Sequence, residues 1–256
     1  MRMWAVPMAI LLGAGAAGGA PVDPPADPAA RAGKPAARPQ RPEPRFPVAP
    51  APRKVDCVKT RCVALTFDDG PGDHTGAVLD ALAEHRARAT FFVVGGMVEE
   101  NGGRDLRRMV AEGHELGNHS WSHADLTGLS ATGLRSELGR TQKIVERETG
   151  VRMALMRPPY GATDRRVAEE SRRQGLAQIL WSVDTQDWLV RDTGVVLRRA
   201  GKAVPGSVVL MHDIHRTTVE AVPELLKDLA DRKYTFVTMS ELYGRVPAPG
   251  GRYPRR

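Results

Sequence analysis

Seven short apolar runs, each four to eight residues long, recur from residue 62 onward: Val63–Asp68, Ala89–Gly95, Glu115–Ser120, Ala154–Arg157, Leu176–Val183, Ser207–His212 and Tyr234–Met239. Helical patterns separate most of them, over Val78–His85, Asp105–Glu112, Leu134–Glu148, Arg165–Gln174, Val195–Ala203 and Val219–Asp231. In one of these, Leu134, Leu138, Ile144 and Val145 fall at helical spacing with charges on the other faces. Strands that alternate with helices pair in parallel, with both faces of the sheet covered. Seven units in about 180 residues fall short of the roughly 250 residues of a closed eight-fold barrel. The expected fold is therefore α/β, a distorted or incomplete (β/α)7 barrel, with an open doubly wound sheet as the alternative. No solenoid-type repeat is present.

The first 54 residues do not share this pattern. Arg2, the apolar run Met3–Leu12 and the small residues Ala14-Gly15-Ala16 and Gly18-Gly19-Ala20 give residues 1–20 the grammar of a secretory signal. The run is short beside the roughly 20 apolar residues a spanning helix needs, so an uncleaved anchor is the secondary reading. Residues 21–54 carry eleven prolines and, of aromatics, only Phe46. Too little apolar surface is available to offset ordering entropy, which predicts a disordered, partly polyproline linker. At about 3.1 Å per residue it could reach roughly 100 Å, enough for a spacer that carries a domain through a wall. The expected domain then runs from 55 to 244, with a basic tail over 245–256.

The formal charge of +7 is concentrated outside that domain. Residues 1–20 carry +1, the linker +4 and the tail +4, which leaves residues 55–244 at −2. A nucleic-acid-binding face on the folded part is not indicated. The basic tails fit peripheral contact with anionic wall polymers or lipid headgroups. Two cysteines, Cys57 and Cys62, are too few for a closed structural zinc site, and in an exported protein a disulfide is the default. Extended, they would stand about 16 Å apart, so a bridge demands a chain reversal near Lys59-Thr60.

Five segments at the C-terminal ends of expected strands carry chemistry, where barrel proteins place their sites. Thr66-Phe67-Asp68-Asp69-Gly70-Pro71 sets two carboxylates side by side, an arrangement that raises a pKa or calls for a cation; turn formation by Asp-Gly-Pro is the plain alternative. His119-Ser-Trp-Ser-His123 spaces two imidazoles to share one side of a helical turn. Two histidines with one carboxylate and an open position make the pattern of a catalytic zinc. Adjacent strand residues point to opposite sides, so Asp68 and Asp69 should differ in role, but the spacing does not say which binds metal. In Arg157-Pro158-Pro159-Tyr160-Gly161 a buried arginine requires an anion, with Asp68 the obvious candidate. Asp184-Thr-Gln-Asp187-Trp188 and Leu210-Met211-His212-Asp213 complete the set, the latter offering a histidine that a nearby carboxylate could orient as an acid/base pair.

These five segments, in this order over Cys62 to Tyr243, resemble the polysaccharide deacetylase family, carbohydrate esterase family 4 with its NodB-homology domain. The resemblance implies a zinc ion, with cobalt or another divalent metal as the variant, held by Asp69, His119 and His123. It implies Asp68 as general base, tuned by Arg157, and His212 as the acid that protonates the departing amine, oriented by Asp187. It further implies the Tyr160 backbone N–H as oxyanion donor, and Trp188 with Leu210 as walls of the acetyl pocket. The implied reaction is removal of N-acetyl groups from N-acetylglucosamine units of a cell-wall polysaccharide, peptidoglycan before chitin-type polymers, by a secreted or wall-associated monomer. Acetylxylan O-deacetylation and a non-catalytic wall-binding module are the competing readings. Of the other histidines, His85 and His114 read as structural, whereas His74 and His215 are candidates for the substrate groove.

Overall fold

A computed structural model describes residues 46, 49–254 and 256, all within one unit, Glu43–Arg256. The expected signal and most of the linker lie outside the described residues. Among the described residues nine strands form one sheet: β1 Cys62–Asp68, β2 Thr90–Val93, β3 Glu115–Asn118, β4 Leu155–Met156, β5 Ala177–Ile179, β6 Val183–Asp184, β7 Val208–His212, β8 Thr235–Phe236 and β9 Arg252–Tyr253. Their order is β6-β7-β1-β2-β3-β4-β5-β9, with β8 also on β1, and every pairing is parallel. The helices are α1 Thr75–Glu84, α2 Gly95–Asn101, α3 Arg104–Glu112, α4 Ala131–Thr149, α5 Arg165–Arg173, α6 Asp187–Val190, α7 Thr193–Ala200, α8 Arg216–Asp231 and α9 Met239–Tyr243. Among the described residues no helix is long and apolar enough to cross a membrane.

The sheet is a curled, incomplete barrel, and its seam lies inside one of the expected strands. The run Leu176–Val183 is continuous in apolar character but splits into β6, the edge strand on one side of the order, and β5, next to the edge strand β9 on the other. Only Leu180, Trp181 and Ser182 separate them. At roughly 3.5 Å per residue, that link holds the two ends within about 14 Å of each other. Apolar content cannot reveal such a break, because the run stays largely apolar across it although β5 is buried and β6 only half-buried.

Alternation along β1 divides the core in two. Val63, Leu65 and Phe67 face the helices and share a cluster with Val78, Leu79 and Leu82 of α1 and Leu225, Leu226 and Leu229 of α8. Cys62 and Ala64 face the barrel interior with Phe92, Leu155, Ile179, Val208, Val237, Met239 and Leu242. Burying each large aliphatic or aromatic side chain contributes roughly 1.5–3 kcal/mol, so both layers stabilise the curl. Further along the interior row come Thr66 and Asp68, which places a carboxylate at the top of a packed tube.

Both ends of the domain extend past the boundaries read from the sequence. Arg53, in the expected linker, hydrogen-bonds Glu241 and the Phe236 carbonyl. β9, in the expected basic tail, pairs with β5 through Gln178–Arg252 and Ile179–Tyr253. Proline density and arginine content conceal these two pieces of ordered chain. The Cys57–Cys62 disulfide is present with Cα atoms 5.4 Å apart. The reversal it needs is a turn in which the Lys59 and Thr60 amides both donate to the Asp56 carbonyl.

Candidate active site

Asp68 closes β1 in register with His212 of β7 and Phe92 of β2. Asp69 then adopts φ 74°, a left-handed conformation that is strained for a residue with a Cβ. Strand alternation therefore stops at Asp68, and both carboxylates turn toward the same histidine: Asp68 Oδ2 lies 3.7 Å from His119 Nε2 and Asp69 Oδ1 3.3 Å. The opposite-side expectation fails because Asp69 has left the strand. Gly70 follows with its α-carbon against the Asp213 carboxylate, where a Cβ would come within 2.4 Å of Oδ2.

The two histidines do not share a helical turn. His119 and His123 sit in a loop after β3 that places Ser120 and His123 at φ 65° and 56°. Several hydrogen bonds hold this loop. Glu137 of α4 accepts from the Trp121 and Ser122 amides at 2.9 and 2.8 Å, and the Gly95 and Gly96 amides of α2 donate to the Ser120 and Trp121 carbonyls. Gly95 is required, since a Cβ there would meet the Trp121 ring at 2.5 Å. The result still converges: His123 Nε2 is 3.3 Å from Asp69 Oδ1, and donor atoms of Asp69, His119 and His123 all lie within 4.8 Å of one another.

Three observations test whether this triad suits a metal ion. Asp69 Oδ1 is buried without a hydrogen-bond partner, which is costly unless a cation is intended. His119 Nδ1 hydrogen-bonds the Arg157 carbonyl at 2.7 Å; a carbonyl only accepts, so a proton is on Nδ1 and the other ring nitrogen, Nε2, is the one turned toward Asp69. Metal–ligand bonds of about 2.0–2.1 Å at tetrahedral angles put donor atoms about 3.4 Å apart, close to the 3.3 Å seen between Asp69 and each histidine. Burial and then the neighbouring His119 hold His123 below the ordinary imidazole value. Burial pushes the Asp69 carboxyl up, but His119, His212 and His123 outweigh it and hold it well below the usual carboxylate range. Neutral imidazoles and an ionised carboxylate are the forms that bind a divalent ion.

Asp68 and His212 flank the triad, and each has its own fixed partner. Arg157 is fully buried and donates from Nη1 to Asp68 Oδ1 at 2.7 Å and to Thr66 Oγ1 at 2.8 Å. It also donates to the Ile179 and Leu180 carbonyls at the seam, and its guanidinium lies over the Phe92 ring at 4.2 Å. His212 Nδ1 hydrogen-bonds Asp187 Oδ1 at 2.8 Å, while Asp187 Oδ2 accepts from the His212 amide and the Thr218 hydroxyl. Burial disfavours the His212 imidazolium, but Asp187, with Asp68 and Asp69 beyond it, raises the ring to about 9. Its Nε2 lies 4.0 Å from Asp69 Oδ2. The carboxylate that orients His212 is thus Asp187 and not its neighbour Asp213. Asp213 packs under Gly70, receives the Thr75 hydroxyl and is pushed up to about 7 by burial.

Tyr160 lies in the 3₁₀ turn Pro159–Gly161 at φ 60°, with its ring 4.7 Å from His123, and no hydrogen bond among the described residues uses its backbone N–H. Trp188 opens at the mouth at 48 % exposure, whereas Leu210 is buried on the interior row beside Thr66. His215 stands beside His212, their ring centroids 5.6 Å apart. His114 is structural, accepting from the Ala89 amide. Thr66, Glu137 and Thr218 are supporting residues that the sequence reading did not single out. Period-two alternation along β1 marks Thr66 as interior; no local signal marks the other two.

The fold is an incomplete parallel α/β barrel, and at its strand ends two histidines and a carboxylate are grouped so that they could hold a metal ion. A family model for polysaccharide deacetylases matches residues 56–179. The peptidoglycan-N-acetylglucosamine deacetylase PgdA of Listeria monocytogenes is 46 % identical over 193 residues, 75 % of this chain and 41 % of the relative's length. The chain thus spans about two fifths of that protein. The peptidoglycan-N-acetylmuramic acid deacetylase PdaA of Bacillus subtilis is 35 % identical over 190 residues, 72 % of each chain. A solved structure described as T48 deacetylase with substrate superposes with a TM-score of 0.74 at 43 % identity, over 78 % of this chain and 99 % of that one. The chain belongs to the polysaccharide deacetylase family.

Proposed function

We propose that the chain removes N-acetyl groups from N-acetylglucosamine units of a cell-wall polysaccharide, with peptidoglycan as the favoured polymer. The observation that carries the reading is the meeting of two separately tuned groups, Asp68 on Arg157 and His212 on Asp187, on either side of the Asp69–His119–His123 triad. The names of the Listeria and Bacillus relatives support the choice of polymer. The triad would hold zinc, which when bound supplies a Lewis acid and lowers the pKa of water from about 15.7 toward 7.

The chain's own groups then divide the work. Asp68, fixed by Arg157 and free at Oδ2, takes the proton from the attacking water. The unused Tyr160 N–H is positioned to donate to the oxyanion that develops on the acetamide, an interaction typically worth about 3–4 kcal/mol. His212, charged because Asp187 raises it, gives its proton to the departing amine, which otherwise would leave as a very poor anion; such assistance contributes roughly 10²–10⁴-fold. Trp188 and Leu210 bound the space for the acetyl methyl. Export of the chain, with residues 1–20 as the signal and the proline-rich segment as spacer, accords with the Cys57–Cys62 disulfide, a bond of oxidising compartments.

The test is acetate release by the purified full chain from peptidoglycan, N-acetylglucosamine oligomers and acetylated xylan, with and without chelator. Release from the amide substrates that stops on chelation and returns with zinc supports the reading. Release from acetylated xylan alone would overturn the choice of bond, and chelator-insensitive release would overturn the metal.

A further inference from the structure

Arg191 is held at the rim of the site without an anion. It follows α6 in the left-handed region (φ 50°, ψ 43°), a strained choice for a long side chain. Its Nε donates to the Trp188 carbonyl at 2.9 Å and its Nη1 donates to His215 Nδ1. Among the described residues no carboxylate lies within ion-pair distance of its guanidinium, whereas Arg53, Arg88 and Arg157 each have one. Two anchors on a strained residue fix the direction of a cation whose remaining donors are unspent.

The same contact fixes His215. A guanidinium only donates, so His215 Nδ1 must accept, and the ring's proton resides on Nε2. His215 is 8 % exposed and stands beside His212 with its ring tilted by 35°, so its N–H is an oriented donor next to the reacting centre. Trp188, Leu189 and Val190 flank the pair at 48, 63 and 38 % exposure, an apolar shelf of the kind that receives the face of a sugar ring. From His212 through His215 to the exposed Arg191 the three side chains form a contiguous row.

We infer that Arg191 and His215 form a subsite for a carboxylate carried by the sugar adjacent to the one deacetylated. The inference rests on the deacetylase reading and adds the substrate's charge to it. A neutral acceptor would satisfy the His215 N–H alone; the uncompensated guanidinium beside it selects an anion, with which it forms charge-assisted hydrogen bonds. A peptide-free glycan strand with a free carboxylate on alternate sugars suits the subsite, whereas a neutral homopolymer, or a strand whose carboxyls are amidated by peptide stems, leaves it without its anion.

The experiment compares a tetrasaccharide of alternating N-acetylglucosamine and N-acetylmuramic acid with the same glycan after its carboxylates are reduced to alcohols. Calorimetric Kd values are taken for the full chain, Arg191→Gln and Arg191→Lys. The expected result is roughly tenfold or greater preference of the unmodified chain for the acidic form, collapse of that ratio toward one in Arg191→Gln, partial recovery in Arg191→Lys and weakening with salt. Equal affinity of the unmodified chain for the two glycans, or a ratio unchanged in Arg191→Gln, overturns the subsite. Because each protein is its own control, loss of overall affinity in a variant does not mimic loss of discrimination. Acetate release is scored in parallel: its absence from every glycan would sink the deacetylase reading while the Kd ratio still decides the subsite.

Discussion

The two ends of the barrel carry similar side chains in opposite states of satisfaction. Where the strands begin, Glu241 of α9 pairs with Arg53 and Arg88, both at 2.8 Å, and joins Thr238 in a capping box. Beside it Glu115, first residue of β3, accepts from the Ser240 amide and hydroxyl. Where the strands end, Asp69 Oδ1 is buried and unpartnered, and Asp69, Ser120, His123 and Tyr160 all occupy positive φ. One end spends its charges on holding the chain together. The other holds charges apart, at a cost in strain and desolvation that only a ligand repays. Substitutions at the two ends should therefore separate activity from stability.

The largest effect is expected at the strand ends. Asp69→Ala or His123→Ala should reduce zinc affinity beyond the roughly 10–100-fold typical of groups that merely orient a ligand, with acetate release falling to background and the thermal midpoint of the metal-free protein unchanged or raised. Retained zinc stoichiometry would break the assignment. Next, His212→Ala should lower kcat by roughly 10²–10⁴. In Asp187→Asn the alkaline limb of the pH–activity profile should move toward acid, since the charge that raises His212 is gone. The linkage has a definite sign. A folded pKa of about 9 against 6.5 means that the His212 contribution to stability is fully present below 6.5 and is lost as pH rises through 9. Denaturation of the metal-free protein across that range should show this slope, and Asp187→Asn should flatten it.

Effects at the strand starts should be smaller and confined to stability. Glu241→Ala leaves two arginines unpaired and should cost about 3 kcal/mol, the low end for breaking a buried pair because Arg53 is about a third exposed. The readout is urea denaturation, with kcat preserved at a permissive temperature; a collapse of kcat in the folded variant would erase the contrast between the ends. Removing the Cys57–Cys62 bridge, which closes a short loop, should cost about 2 kcal/mol by chain entropy. An unchanged urea midpoint in the double serine variant would sink that expectation.

The sequence pattern makes the alternation, the parallel sheet and the shortfall from a closed barrel legible, because a buried strand and an amphipathic helix each impose a period. It does not reveal the seam at Leu180–Ser182, since periodicity is blind to which neighbour a strand pairs with. The short helices α6 and α9 hold too few residues to show a period, although Thr238-Met-Ser-Glu241 carries the capping-box spacing that announces α9. His119 and His123 are readable as a pair, in a connection over 119–130 without clear secondary structure, but the shape of that loop is not, because the force that sets it comes from Glu137, sixteen and fifteen residues away from the amides it holds. Likewise Arg157 demanded an anion on residue type alone, while its grip on two carbonyls at the seam depends on β5 being where it is.

The pairing of β1 with β7 also sets a timetable. Ala64 meets Val208 and Asp68 meets His212 across more than half the chain, whereas the metal triad closes within residues 69–123. Contacts between distant segments form late, since loop closure must precede them and β7 is synthesised after β1 to β6. The Asp69–His119–His123 corner therefore lies wholly within chain made before His212, and the proposed proton donor joins it only when β7 docks. On the proposed roles, a chain interrupted before β7 would contain all three triad residues and lack its acid.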